Sequence, residues 1–241
     1  MARKREFDEQ QVLEQVMQLF WQQGYEATSM SDLTAATGLQ KPSLYAAYGD
    51  KRSLFEQALR RYNEQHLIQI QQLLHTGKTA KQSFTQLFQH VLNMTLENKY
   101  QNAVQDQCKV HSTNENYSEH NNDNNEHYSK NEEHSDNKDY DNAQRIPDYG
   151  CYCLNTLVEL APHDQTFAAL TREHQMKLAD VFTQRLQQAV EQGEYAPTYD
   201  VSGNAHILLV NMIGLTVLLK ANPDPAFVQH SAALLLSSLL G

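Results

Sequence analysis

Apolar side chains in this chain recur at intervals of three and four, and nowhere in strict alternation, which confines the fold to helices. The punctuation between the apolar runs is equally regular. Asp8 caps a first helix, Gln11 completes its capping box, and Phe7 with Val12 forms a hydrophobic staple. Val12, Leu13, Val16, Met17, Leu19 and Phe20 then mark one face until Gly24 ends the segment. Ser29 and Asp32 open a short second helix that turns Met30, Leu33 and Ala36 inward and stops at Gly38. A third short helix holds Pro42 in its first turn, where the missing N–H removes no helical bond. Asp50 caps a fourth, beginning "KRSLFEQALRRY". After residue 149 four more follow. Asp148 is read as the cap of "YGCYCLNTLVEL", a long amphipathic helix runs from about 165 to 192, an apolar one from 201 to 221, and Asp224 with Pro225 starts the last, ending at Leu240. The expected fold class is all-α.

Residues 98–148 break this pattern. They hold eleven Asn, eleven Asp plus Glu, five Lys plus Arg and four His, and so carry six of the ten net negative charges. Such a stretch cannot bury enough apolar area to offset the entropy of ordering, so it reads as a disordered acidic insertion.

What is missing narrows the function. The basic N-terminus "MARKREFDEQ" is followed by no apolar run, so it is no secretory signal. The longest apolar run, Ile207 to Leu219, is shorter than the roughly 18–20 residues of a membrane span. A cytoplasmic protein without membrane association is expected. Three cysteines, Cys108, Cys151 and Cys153, make no disulfide framework. No nucleophile elbow, HExxH, phosphate-binding glycine loop or zinc-type CxxC pair is present, so neither an enzyme nor a cofactor or structural metal is expected. His111, His120, His127 and His134 in the insertion suit either a solvated linker or loose transition-metal binding.

Short helices with a glycine turn between the second and third form a helix-turn-helix over about residues 29–48. In that geometry the third helix enters the major groove and its early residues, here Gln40, Lys41, Ser43 and Leu44, meet base edges. Thr28, Ser29, Tyr45, Tyr48 and Lys51 supply hydroxyls and an ammonium suited to phosphate oxygens. Residues 1–61 are charge-balanced, eight basic against eight acidic, but Arg3, Lys4 and Arg5 concentrate positive charge in one arm. Binding should therefore weaken steeply with salt.

The run "GYEATSMSDLTAATGLQKPSLYAAYGDKRSLF" resembles the signature of the tetracycline-repressor (TetR) family of bacterial regulators. Tyr48, Lys51 and Leu54 match that family's F-x-x-K-x-x-L, and "GCYCLNTLVELAPHD" is similar to a segment in one subgroup. The resemblance implies a homodimer with a DNA-binding domain, residues 1–53, and a C-terminal domain, residues 54–241, for dimerisation and effector binding. It implies a repressor that holds a palindromic operator and is released by a small-molecule effector. Two departures stand out. Gln40 occupies the recognition-helix cap, where the family often has Ser or Thr, and the 98–148 insertion has no counterpart in the family pattern.

In the C-terminal half, helices 165–192 and 201–221 are expected to pair with their copies across a two-fold axis, which would explain why the second is apolar almost all round; a central core helix in a monomer is the alternative. Asn155, Thr156, Glu159 and His206 are the candidate polar contacts to an effector, each alternatively a satisfied core or interface residue. With Asp148 as cap, Cys151 falls in the first helical turn, where the dipole favours thiolate. Cys151 is thus either a redox- or electrophile-sensing thiol or a small buried residue. The competing readings are a helical protein-interaction module without DNA binding, and a redox- or metal-responsive regulator acting through Cys151 or the histidines of the insertion.

Overall fold

The structure, a computed structural model, describes residues 7–93, 150–221 and 223–241. The 98–148 insertion with its four histidines, Asp148 and the Arg3–Lys4–Arg5 arm lie outside the described residues. Among those described there are nine helices and no strand. They are α1 (Glu9–Gln23), α2 (Met30–Thr37), α3 (Lys41–Tyr48), α4 (Lys51–Thr76), α5 (80–93), α6 (Tyr152–Glu159), α7 (Gln165–Glu191), α8 (Val201–Lys220) and α9 (Pro225–Leu240).

The capping residues do what their chemistry dictates. Asp8 accepts from the N–H groups of Gln10 and Gln11, Asp50 from Ser53, Asp200 from Gly203 and Asp224 from Ala226. The Ser29–Asp32 box closes in both directions, at 3.2 and 2.7 Å. Gly38 ends α2 in the left-handed region at φ +68°, where a side chain would be strained. One start differs from expectation. Gly150 turns the chain at φ +71°, Cys151 is extended, and α6 begins only at Tyr152. Cys151 is therefore the N-cap residue of this helix rather than a first-turn residue.

Two cores organise the chain. The first gathers Phe20 of α1, Leu33 of α2, Leu44 of α3 and Phe55 of α4 around Tyr152 of α6 and Phe167 of α7. Phe55 meets Phe20, Tyr152 and Phe167 edge-on with ring centroids 4.9–5.4 Å apart, an arrangement that favours ring quadrupoles as well as burial. The second core joins the end of α4 to α5, α7, α8 and α9 through Phe84, Phe182 and Leu208. α4 and α7 run through both.

α8 spans 20 residues and is long and apolar enough, by length and composition, to cross a membrane. It is longer than the apolar run visible in the sequence, because its capped first turn counts. Ala205, Leu208, Met212, Leu215 and Leu219 form one buried stripe of it, as in a core helix. The opposite stripe, Ile207, Val210, Val217 and Leu218, is exposed, and so are Phe227 and Leu234 of α9.

Candidate nucleic-acid interface and ligand cavity

α2 and α3 cross at the Gly38 turn, and burial decides which side chains of α3 are available. Leu44 is fully buried and Tyr48 is 5% exposed, both in the first core. Tyr48 donates its hydroxyl to the Glu9 carbonyl at 3.2 Å, tying α3 to α1. Thr28 is also fully buried, its hydroxyl donating to the Gly24 carbonyl at 2.7 Å. The sequence suggests these three as DNA contacts; in the fold they hold the motif together. Gln40, Lys41, Ser43 and Tyr45 are all exposed, Tyr45 by 48%. Ser29 is exposed at the start of α2, its hydroxyl engaged in the capping box. Lys51 is half-buried, its ammonium 4.3 Å from the centre of the Tyr25 ring and 3.5 Å from the Glu26 carbonyl. Gln40 caps α3 without a side-chain bond, which leaves its amide available.

A cavity of about 90 Å³ lies among α4 to α8, walled by Tyr62, His66, Ile70, Cys151, Cys153, His174, Leu178 and Met212 among others. Three of the four expected effector contacts line a separate open cleft beside α1, and the fourth lines neither space. Each has its own explanation. Thr156 is buried and donates to the Tyr152 carbonyl, Asn155 accepts from Lys220, and His206 sits exposed on α8. Glu159 accepts from the backbone N–H of Tyr25 at 3.3 Å and of Glu26 at 3.0 Å. A Cβ at Gly24 would come within 3.2 Å of that carboxylate, so glycine there lets the helix end approach.

The cavity residues that sequence reading missed carry a periodic signal. Tyr62, His66 and Ile70 lie four apart on α4, as do Leu170, His174 and Leu178 on α7, so each histidine interrupts an apolar stripe. His66 Nδ1 and His174 Nε2 are 3.0 Å apart. Burial pushes His66 down to about 3 and His174 to about 4, with His174 and His90 adding to the first shift and Lys177 to the second.

Cys151 does line the cavity, but its thiol accepts from the Tyr62 hydroxyl at 3.4 Å and burial raises its pKa. The thiolate expected from a helix dipole is thus disfavoured, because the residue precedes the helix and its half-buried site penalises the charged form. Cys153 is buried and its thiol is pushed up more strongly. Among the described residues no group of three His, Cys, Asp or Glu is placed to hold a metal.

One short helix joins cavity and DNA-facing motif. Before α6, the Gly150 carbonyl accepts from Trp21 Nε1 at 2.8 Å, beside Cys151 on the cavity wall; at its end, Glu159 grips the α1–α2 loop. Arg52 of α4 adds a forked bond to Asp164, with N–O distances of 2.8 to 3.2 Å.

Comparison with known proteins places this architecture. Residues 12–58 match the family model for bacterial regulatory proteins of the tetR family, and residues 137–235 match a tetracyclin repressor-like C-terminal domain. The chain is 26% identical over 240 residues to the uncharacterized HTH-type transcriptional regulator YezE of Bacillus subtilis (strain 168), covering 99% of this chain and 100% of that one. It is 38% identical over 93 residues to the HTH-type transcriptional repressor ComR of Escherichia coli (strain K12), covering 38% of this chain and 44% of that one. Among solved structures, a cysteine mutant of the TetR family regulator CifR with 26 bp of operator DNA superposes with TM-score 0.68, at 22% identity and 99% and 100% coverage. The E. coli NemR reduced form superposes with TM-score 0.65, at 14% identity and 94% and 93% coverage. Two family models in the expected order, on a helix-turn-helix followed by a helical domain, show that the chain belongs to the TetR family of DNA-binding transcriptional regulators.

Proposed function

We propose that this regulator is a repressor whose dimer holds a palindromic operator through α3 and releases it when a small molecule enters the cavity among α4 to α8. The observation that carries the reading is the division of α3. Leu44 and Tyr48 anchor α3 in the core, which leaves Gln40, Lys41, Ser43 and Tyr45 exposed around them. A rigid helix offering an amide, an ammonium and hydroxyls is what base edges and phosphates require. Ser29 and Lys51 flank it at the starts of α2 and α4, where backbone N–H groups favour phosphate.

The exposed apolar stripes of α8 and α9 are the dimer surface in this reading. The sequence suggests helices 165–192 and 201–221 for that role, but α7 spends its apolar face on α4 and α8. Residues 7–58 act as the DNA-binding part, and the core they share with α6 and α7 is the route by which cavity occupancy resets the spacing of the two α3 helices. An effector acts only through its different affinity for the two spacings. The chain works in the cytoplasm, on DNA and without catalysis. A thiol-based switch at Cys151 is not favoured, since burial raises that thiol's pKa and it already accepts a hydrogen bond.

Selection of bound fragments from sheared genomic DNA tests the reading. Recovery of an inverted-repeat sequence by the wild type, lost in a Lys41→Ala/Tyr45→Ala variant of unchanged melting temperature, is the expected result. Enrichment of no sequence by the folded dimer would overturn it.

A further inference from the structure

Among the described residues, the wall of the cavity contains no Asp, Glu, Lys or Arg. Its polar groups include the His66–His174 pair, held neutral near pH 7 by burial, His90, and the amides of Gln69 and Gln175. An ion brought there would lose hydration with no opposite charge among these residues to replace it, a cost that disfavours carboxylates and ammonium groups. An uncharged polar group faces no such cost.

The histidine pair adds adaptability. One proton lies between His66 Nδ1 and His174 Nε2. With that proton on His66, the second nitrogen of His66 is an acceptor; with it on His174, His66 carries its own proton on Nε2 and is a donor. His174 Nδ1 is buried without a hydrogen-bond partner among the described residues, so nothing on the His174 side fixes the choice. Such a pair accommodates either a hydroxyl or a carbonyl. The space is small as well. It measures about 90 Å³, below the roughly 150 Å³ of a cavity that takes benzene.

We propose that this cavity binds a small uncharged alcohol or carbonyl compound of about four or five heavy atoms, its oxygen on the His66–His174 pair and its carbons against Ile70, Leu178 and Met212. The inference deepens the effector reading given above and rests on it only for what occupancy does to DNA.

The test uses full-length protein labelled with ¹⁵N-histidine and free of DNA, titrated with butan-1-ol, butyrate or n-butylammonium. Butan-1-ol should shift the imidazole resonances of His66 and His174 in a saturable way, and the two ions should leave them unmoved over the same range. His66→Phe, checked for folding by its melting curve, should weaken butan-1-ol binding about tenfold, the worth of one hydrogen bond. Tighter or equal binding of either ion, no saturable response to butan-1-ol, or full affinity in folded His66→Phe would overturn the assignment. Because the wild type reports on ligand charge by itself, a variant that fails to fold does not leave the question open. Operator retention is scored separately: saturation by butan-1-ol without DNA release would support the ligand class and count against the effector reading.

Discussion

Leu44 and Tyr45 are neighbours with opposite duties, and burial alone separates them. Truncating Leu44 to alanine should cost about 2–5 kcal/mol of folding stability, the range for a fully buried leucine. Tyr45→Ala should stay within about 0.5 kcal/mol of wild type while weakening DNA binding; chemical denaturation beside anisotropy titration separates the two. The helical period already tells that residues 44 and 48 share a face. What it cannot tell is which face meets the core, and the pull of an aromatic-rich motif assigns Tyr48 and Thr28 to DNA. The histidine pair gives a second residue-scale prediction. Both folded pKa values lie below the unfolded value near 6.5, so the unfolded chain binds more protons between about pH 4 and 6.5. Their contribution is therefore intact above pH 6.5 and is lost as pH falls through that window. From pH 7.5 to 5.5 the pair should cost roughly 2–3 kcal/mol. A His66→Phe/His174→Leu variant should show a flatter pH profile in urea unfolding, and an unchanged slope would remove the histidines from the account.

Among the elements, the helices with a side-chain cap were the most legible. Ser29 with Asp32, Asp50, Asp200 and Asp224 each mark the start of an observed helix, because a carboxylate or hydroxyl satisfying free N–H groups is a local matter. The start of α6 was not legible, since a positive φ at Gly150 overrides any cap further upstream. Glu159 was visible only as a polar group near the end of a helix; its partners, Tyr25 and Glu26, lie more than 130 residues away. Glu159→Ala should cost about 1–3 kcal/mol, since it removes two bonds to a carboxylate. It should also loosen the link between cavity and α3, so that ligand binding persists while its effect on DNA affinity shrinks. Equal ligand response in the variant would show that the coupling runs elsewhere.

For the whole molecule, acidity and DNA binding are compatible because the charge is unevenly distributed: the 98–148 segment carries six of the ten negative charges. Dimer formation belongs to this scale too. Val210 is 66% exposed and Leu234 58%, large apolar groups on the faces of α8 and α9 turned away from the core. Val210→Glu with Leu234→Glu should give a monomer by analytical ultracentrifugation, with melting little changed at high dilution and operator affinity lowered by orders of magnitude, since two half-sites are no longer engaged at once. The most direct test of the central claim, that the exposed face of α3 holds DNA, is the salt dependence of operator affinity for wild type and Lys41→Ala. The account predicts a steep fall in log K with log salt for the wild type. It predicts a shallower slope for Lys41→Ala, by about one for each phosphate that Lys41 neutralises in each protomer. Identical slopes and affinities for the two proteins would contradict it.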